Sequence, residues 1–121
     1  MSEQLIVKSI LSALDRLGVF AWRNNTGRRG GVSYGFKGSP DIIGVMRGGR
    51  ACFIEVKTAT GKQSAEQVEF QRRIQELGGL YVLARNVDDV WRGLGIETEP
   101  VVCPRMTDAK LKRLQEIIRK A

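Results

Sequence analysis

Histidine is missing from the sequence, and its absence excludes more functions than any residue that is present. Ser-His-Asp and Cys-His catalysis, histidine-ligated zinc and nucleases with a histidine general base all require an imidazole. The two cysteines, Cys52 and Cys103, are too few and too distant in sequence to form a zinc knuckle. Hydrolysis by this chain would have to use carboxylates, lysine and a hard metal ion.

Long apolar runs are also missing. No stretch approaches the roughly 18 apolar residues of a membrane helix, and the polar start MSEQ is unlike a secretory signal. Cys52 lies in a short apolar run, where we expect a small core residue, and so few cysteines favour a reducing compartment. We therefore expect a cytoplasmic protein with no membrane partner.

Acidic residues are scarce relative to basic ones, since 20 Lys+Arg against 13 Asp+Glu give a formal net charge of +7. A basic surface favours a polyanionic partner such as nucleic acid, although positive charge can also serve solubility alone. The length of 121 residues predicts one domain over 1–121. Within it we expect a core over about 3–95 and a C-terminal linker with a basic helix over about 98–121.

Hydrophobic periodicity predicts elements in the order α-β-β-β-α-β, followed by two helices. Ser2 is expected to cap the first helix, and Ser64 to open the second with a capping box. Pro100 to Pro104 is expected to be an extended linker, and Thr107 to cap the final helix. The predicted strands are about 19–23, 41–46, 51–57 and 80–84, and the predicted helices about 2–17, 64–77, 88–95 and 107–120.

Glu55 and Lys57 are two residues apart in a predicted strand, so their side chains should emerge on the same face. A carboxylate beside an ammonium group suits phosphodiester hydrolysis, because hard oxygen ligands hold Mg²⁺, which polarises the phosphate. Asp41, at the head of the neighbouring strand, would supply a second carboxylate. The alternatives without function are a surface ion pair and a turn-capping aspartate.

Whether Asp41 can join this site depends on the register of the hairpin. A two-residue turn at Gly48-Gly49 would place Asp41 opposite Val56, with its side chain on the wrong face. We therefore predict a register shifted by one residue, through an odd-length loop or a bulge, or an Asp41 that lies just before the paired strand.

Two helical residues are candidates to complete the cluster. Gln67 shares a helical stripe with Phe70, Ile74 and Leu77 that should face the sheet, and Glu3 begins the inward stripe of the first helix. Each has a purely structural alternative. Gln67 could only close the capping box, and Glu3 could only complement the helix dipole.

The segment 23–37, RNNTGRRGGVSYGFK, contains no acidic residue and is predicted to be a loop or a floppy hairpin. Its basic residues, together with the aromatic Tyr34 and Phe36, favour contact with phosphate over a merely solvated loop. The predicted DNA contacts in this segment and the turn after it are Arg23, Asn25, Arg28, Arg29, Lys37 and Ser39.

The ordered motifs resemble the PD-(D/E)XK nuclease core and, in detail, its VRR-NUC family. The ordered set is more specific than Pro-Asp or Glu-x-Lys alone. The resemblance implies a restriction-endonuclease-like α/β core, with a central mixed sheet flanked by helices and a C-terminal helical extension. It covers about residues 3–95 and rests on Glu3, RNNTG, Gly38-Ser39-Pro40-Asp41, Glu55-Val56-Lys57, Ser64-x-x-Gln67 and Val87-Asp88-Asp89-Val90.

The resemblance also implies an endodeoxyribonuclease site. Asp41 and Glu55, with the backbone carbonyl of Val56, would bind Mg²⁺ or Mn²⁺, and no nucleotide cofactor is expected. Lys57 would position the attacking water or stabilise the developing charge. Hydrolysis would leave a 5′-phosphate and a 3′-hydroxyl.

For the two helical candidates, the resemblance implies that Gln67 supports the metal site and that Glu3 binds a second metal or orients its water. Small stand-alone members of the family look like phage-type homodimers that cut four-way DNA junctions. This implies a Holliday-junction resolvase in a bacterial or phage-infected cell. The C-terminal helix and the Pro100 to Pro104 segment are candidate dimer contacts.

Other functions stay possible on the sequence alone. Larger relatives with added domains act on flaps, and this chain has no room for those domains, but a flap or duplex nuclease is an alternative. A nuclease-like fold that binds DNA without cutting it is a second alternative. A regulatory subunit whose basic tail binds an acidic partner is a third.

Overall fold

A four-stranded sheet with helices on both faces forms the centre of the chain, and the computed structural model describes residues 2–96 and 108–120. The helices are α1 (Glu3–Arg16), α2 (Ala65–Glu76), α3 (Val87–Leu94) and α4 (Asp108–Lys120). The strands are β1 (Phe20–Arg23), β2 (Gly27–Arg29), β3 (Val32–Tyr34), β4 (Ile42–Met46), β5 (Arg50–Val56) and β6 (Leu80–Ala84). The predicted α/β fold class and core element order are confirmed. The expectations for Pro100 to Pro104, Cys103 and Thr107 lie outside the described residues.

The strands of the central sheet lie in the order β1-β4-β5-β6. The β1–β4 and β4–β5 pairs are antiparallel, whereas β5 and β6 are parallel and are joined through α2. Parallel neighbours need such a crossover, because a tight turn can join only antiparallel strands. β2 and β3 form a separate antiparallel hairpin, so the glycine-rich segment after β1 is a hairpin.

The helix ends follow the predicted capping chemistry. Ser2 Oγ accepts a hydrogen bond from the backbone amide of Leu5 at 3.3 Å, and Ser64 begins α2 with a complete capping box. Asn86 caps α3, because its side-chain oxygen accepts from the Asp89 amide at 2.9 Å. The predicted start of this helix was therefore one residue late.

The main hydrophobic core lies on one face of the sheet, under α1 and α3. Alternate residues of the strands point to this face, as the period of a β-strand requires, and Cys52 is among them as predicted. Among the described residues, no helix is both long and apolar enough to cross a membrane. The fully buried core side chains are Ile10 and Leu14 of α1, Ile42 of β4, Cys52, Ile54 and Val56 of β5, Ala84 of β6 and Val90 of α3.

Helix α2 covers only part of the opposite face. Phe70 contacts Phe53 of β5 edge to face, with the ring centroids 5.8 Å apart. Ile74 is half-buried, but Leu77 is 86% exposed. The prediction that Leu77 continues the inward stripe was therefore wrong, because the helix ends at Glu76 and Leu77 serves as its C-cap.

Candidate active site

The β4–β5 hairpin has the shifted register on which the site depends. Met46 pairs with Arg50 and Ile42 pairs with Ile54, so the connecting loop contains three residues, 47–49. Gly48 and Gly49 adopt φ values of 87° and 78°, which suit glycine far better than other residues. Asp41 lies just before β4 and, by extension of this register, opposite Glu55. The predicted shift through an odd-length loop is confirmed.

Glu55 is at the centre of a buried polar cluster. It is only 2% exposed, and its Oε1 atom accepts a hydrogen bond from Gln67 Nε2 at 3.0 Å. Lys57 Nζ lies 3.6 Å from the same oxygen, and its side chain is 14% exposed. Asp41 Oδ2 accepts from the backbone amide of Val56 at 2.8 Å, which fixes this carboxylate beside Glu55.

Gln67 connects the helix cap to this cluster. Its Oε1 accepts from the backbone amide of Ser64 at 2.8 Å, while its Nε2 donates to Glu55. The capping role and the site-facing position are therefore filled by the same side chain. Each half of the amide has one partner, which fixes which way the amide points.

The environment of Glu55 raises its pKa from the ordinary 4.5 to about 8. Burial is the largest cause, followed by the negative charge of the neighbouring Asp41, and Lys57 partly offsets these effects. Two carboxylates held together in a buried place repel each other unless a proton or a cation lies between them. The cluster thus favours the uptake of positive charge.

The residues fit a divalent cation. The second carboxylate oxygen of Glu55, Oε2, is buried and has no hydrogen-bond partner among the described residues, and such atoms are rare in folded proteins. Asp41 adds a second hard oxygen donor, the kind that Mg²⁺ and Mn²⁺ prefer. Among residues 2–96 and 108–120, no group of three or more acidic, histidine or cysteine side chains is arranged to hold a metal. Further ligands would come from the backbone, water or substrate.

Glu3 stands apart from this arrangement. It is exposed at the start of α1, contrary to the expectation that it begins an inward-facing stripe. It does not complete a three-carboxylate group with Asp41 and Glu55. The inward stripe of α1 begins at Ile6, because α1 packs against the face of the sheet opposite Glu55.

The turn before Asp41 is held by Asn24, to which the sequence alone assigns no role. Its Nδ2 donates to Ser39 Oγ at 2.8 Å and to the Pro40 carbonyl at 3.0 Å. Its backbone amide donates to the Asp41 carbonyl at 2.7 Å. Ser39 is buried, at 9% exposure, and its hydroxyl oxygen accepts the bond from Asn24. The other predicted DNA contacts are exposed. The RNNTG motif pointed to the right segment but not to this residue.

The other predicted DNA contacts lie on the surface. Arg23, Asn25, Arg28, Arg29 and Lys37 are all exposed, and Lys37 forms an exposed ion pair with Glu66 at 3.3 Å. The β2–β3 hairpin and the following turn line a cleft of about 300 Å³ that includes Arg28, Tyr34 and Lys37. The basic segment thus forms a solvent-facing surface at the end of the sheet that carries Asp41.

Two further residues near the cluster had no recognisable signal in the sequence. Arg85 donates through Nη1 to the carbonyls of Thr58 and Gly61, the latter at 2.9 Å, and so anchors the loop that follows Lys57. Tyr81 lies on the Glu55 face, where burial and the charge of Glu55 raise its pKa to about 12. Its hydroxyl accepts from Gln63 at 3.3 Å. Both depend on tertiary contacts that no spacing rule encodes.

Comparison with solved structures gives the fold a counterpart. A structure described as "VRR_NUC domain" has a TM-score of 0.59 to this chain at 20% sequence identity, covering 77% of this chain and 94% of that chain. No family model matches the sequence, and no curated protein matches it. At this identity the likeness shows the fold. The predicted resemblance to a VRR-NUC domain is therefore confirmed at the level of the fold.

Proposed function

We propose that the chain is a divalent-metal-dependent DNA endonuclease. The observation that carries this proposal is the buried Glu55 Oε2 atom beside Asp41, which has no hydrogen-bond partner within the described part of the chain. Asp41 and Glu55, with the Val56 carbonyl, would hold Mg²⁺ or Mn²⁺. When bound, the cation would polarise the scissile phosphate and help to activate water.

The protein's own residues would orient the reactants. Gln67 and Lys57 fix one oxygen of Glu55, which leaves the other directed at a ligand. The ammonium group of Lys57 would stabilise negative charge that develops on the phosphate. The amide of Val56 holds Asp41 in place. Because these groups lie on or beside rigid strands, their geometry is set before substrate binds.

The substrate and assembly are proposed at a finer level. We assign branched DNA, with four-way junctions first, and a homodimer that presents two sites to a two-fold symmetric substrate. The exposed basic residues around the β2–β3 hairpin support binding to the phosphate backbone. We assign Glu3 to a second metal ion that binds together with DNA. A single domain over 1–121 is part of the same proposal.

Cleavage of labelled four-way junction, flap, duplex and single-stranded DNA with Mg²⁺, Mn²⁺ or EDTA tests the activity. The wild type should cut the junction at paired symmetric positions in either metal and not in EDTA. Lys57→Ala should lower the single-turnover rate about 10²–10³-fold, the size expected for loss of one charge-stabilising group. Lys8→Ala is a matched control, because Lys8 is exposed on α1, beyond the opposite face of the sheet.

The same assay separates the alternatives. Cutting of flaps or duplex without junction preference would keep the nuclease and reject the resolvase. Binding of all DNA forms without cutting in either metal would reject the nuclease in favour of a DNA-binding module. A rate that is equal in Lys57→Ala and wild type would reject the proposed site.

A further inference from the structure

The sheet face that carries Glu55 has a large part that no described element covers. Phe20 is 73% exposed, Trp22 44% and Val45 40%. Helix α2 packs over β6 and reaches β5 through Phe70. Among residues 2–96 and 108–120, none is seen to cover the β1–β4 half of this face, whereas the opposite face of the same strands is closed by α1.

Strand pairing makes the open residues one continuous surface. Phe20 pairs with Val45, and Val45 pairs with Ala51, which gives one row across three strands. Two residues further along, Trp22, Ile43 and Phe53 form the next row, and the rings of Phe20 and Trp22 touch with centroids 5.6 Å apart. We call this surface the apolar sheet patch: Phe20, Trp22, Ile43, Val45, Ala51 and Phe53.

We infer that the apolar sheet patch is the contact surface between two copies of this chain. The inference rests on the proposed homodimer and names the surface through which it forms. A two-fold axis through the patch would bring the same residues of each copy together, which suits a surface that is apolar throughout.

Charge favours a second copy over DNA at this surface. The patch contains no charged side chain, and β4 has none along its whole length. A polyanion would gain nothing from such a surface, because phosphate binding depends on Lys and Arg. Two copies that each carry a net charge of +7 repel one another, so an uncharged patch is where they can approach at least cost.

The size of the patch also fits. With about 150–250 Å² per aromatic side chain, its exposed parts amount to roughly 400 Å². That is within the range of the largest apolar patch on a typical protein surface, which is often a functional one. It would form the apolar centre of an interface of about 800 Å² per partner, with the surrounding residues as its rim.

The row beyond the patch is polar and contains the candidate site. The backbone amide of Asn24 donates a hydrogen bond to the Asp41 carbonyl. Glu55 lies two residues beyond Phe53 on the same face of the sheet. Contact through the patch would leave this row at the margin of the interface. Each copy would then keep its site open to DNA.

Sedimentation equilibrium of the full chain tests the surface. The wild type should be a dimer at micromolar concentration. Val45→Glu should raise the dissociation constant of the dimer at least about 100-fold, because two desolvated carboxylates would face each other across the interface. Leu77→Glu and Ile118→Glu are matched controls at positions 86% and 72% exposed on α2's C-cap and on α4. Both should remain dimeric.

The outcomes are distinct. A monomeric wild type, a Val45→Glu dimer of wild-type affinity, or a dimer broken only by Ile118→Glu would overturn the inference. If Val45→Glu fails to fold by circular dichroism, fluorescence of the Trp91→Phe variant decides. Its remaining Trp22 emission should shift to shorter wavelength as concentration rises, and a constant emission would overturn the inference. A monomer that cuts DNA rejects only the interface, and a dimer that does not cut rejects only the nuclease.

Discussion

The two faces of the central sheet are built from the same strands but differ in what they bury. On β5, Cys52, Ile54 and Val56 point to one face, and all are fully buried in an apolar core. Phe53 and Glu55 point to the other, where α2 leaves the β1–β4 half open. The fully buried apolar side chains are concentrated on the closed face, whereas the other face carries Glu55, a buried carboxylate that is energetically costly unless it is paired.

The open face changes from apolar to acidic from one row of residues to the next. Trp22, Ile43 and Phe53 form an apolar row, while Asp41 and Glu55 follow immediately with carboxylates. Rigid apolar strands thus hold the charged groups at fixed mutual positions, which a loop would do less well. The apolar rows would suit a second copy of the chain, and the carboxylates of the polar row would contact DNA through a bound divalent cation.

The largest effect should come from comparing adjacent isoleucines of β4 that point to opposite faces. Ile42 is fully buried in the closed core, whereas Ile43 is only half-buried in the apolar sheet patch. Ile42→Ala should cost about 2–5 kcal/mol of unfolding free energy, because it leaves a cavity in packed surroundings. Ile43→Ala should cost about 1 kcal/mol or less in the monomer. Urea denaturation at low protein concentration measures both, and equal losses would show that the faces do not differ.

A pH-dependent effect should follow from the carboxylate pair on the open face. Because burial and Asp41 raise the pKa of Glu55 to about 8, the folded state binds a proton more tightly than the unfolded chain. The associated stability is fully present below about pH 4.5 and is lost as pH rises through about 8. In EDTA, Glu55→Gln should therefore become more stable than the wild type between pH 5 and pH 9, by up to a few kcal/mol. Thermal melts at both pH values check this, and a difference that does not change with pH would contradict it.

The smallest effects should separate the two functions of the Gln67 region. Gln67→Glu can keep the capping bond to Ser64 but loses the donor to Glu55. It should lower cleavage about 10–100-fold, as for other residues that orient metal ligands. Ser64→Ala keeps the donor but loses the cap, so it should cost about 1 kcal/mol with little change in rate. Single-turnover rates and melting temperatures of both variants test this, and a common loss of stability alone would make Gln67 only a capping residue.

The sequence allowed prediction of the parts of the fold that depend on local rules. Ser2, Ser64 and the glycine-rich hairpin loop act through nearest neighbours, so their caps and turn followed from spacing. The register of β4 and β5 could also be anticipated, because only a shift by one residue brings Asp41 to the Glu55 face.

Other features depend on how distant segments pack. Asn24 reaches Ser39 and the Pro40 carbonyl only after β1 pairs with β4, and Arg85 reaches its loop only beside β5. Leu77 and Glu3 were misplaced because helical periodicity does not show where a helix stops touching the sheet. The open half of the sheet was not predicted either, since exposed Phe20 and Trp22 look like core residues in sequence.

Calorimetric titration of the metal-free protein with Mn²⁺, for the wild type and for Glu55→Gln, tests most directly whether the open face holds a cation. The wild type should bind Mn²⁺ with a measurable heat, and Glu55→Gln, which keeps the shape but loses the charge, should bind at least about tenfold more weakly. Binding that is equally tight in both proteins, or absent from the wild type at millimolar Mn²⁺, would contradict a metal site at Asp41 and Glu55.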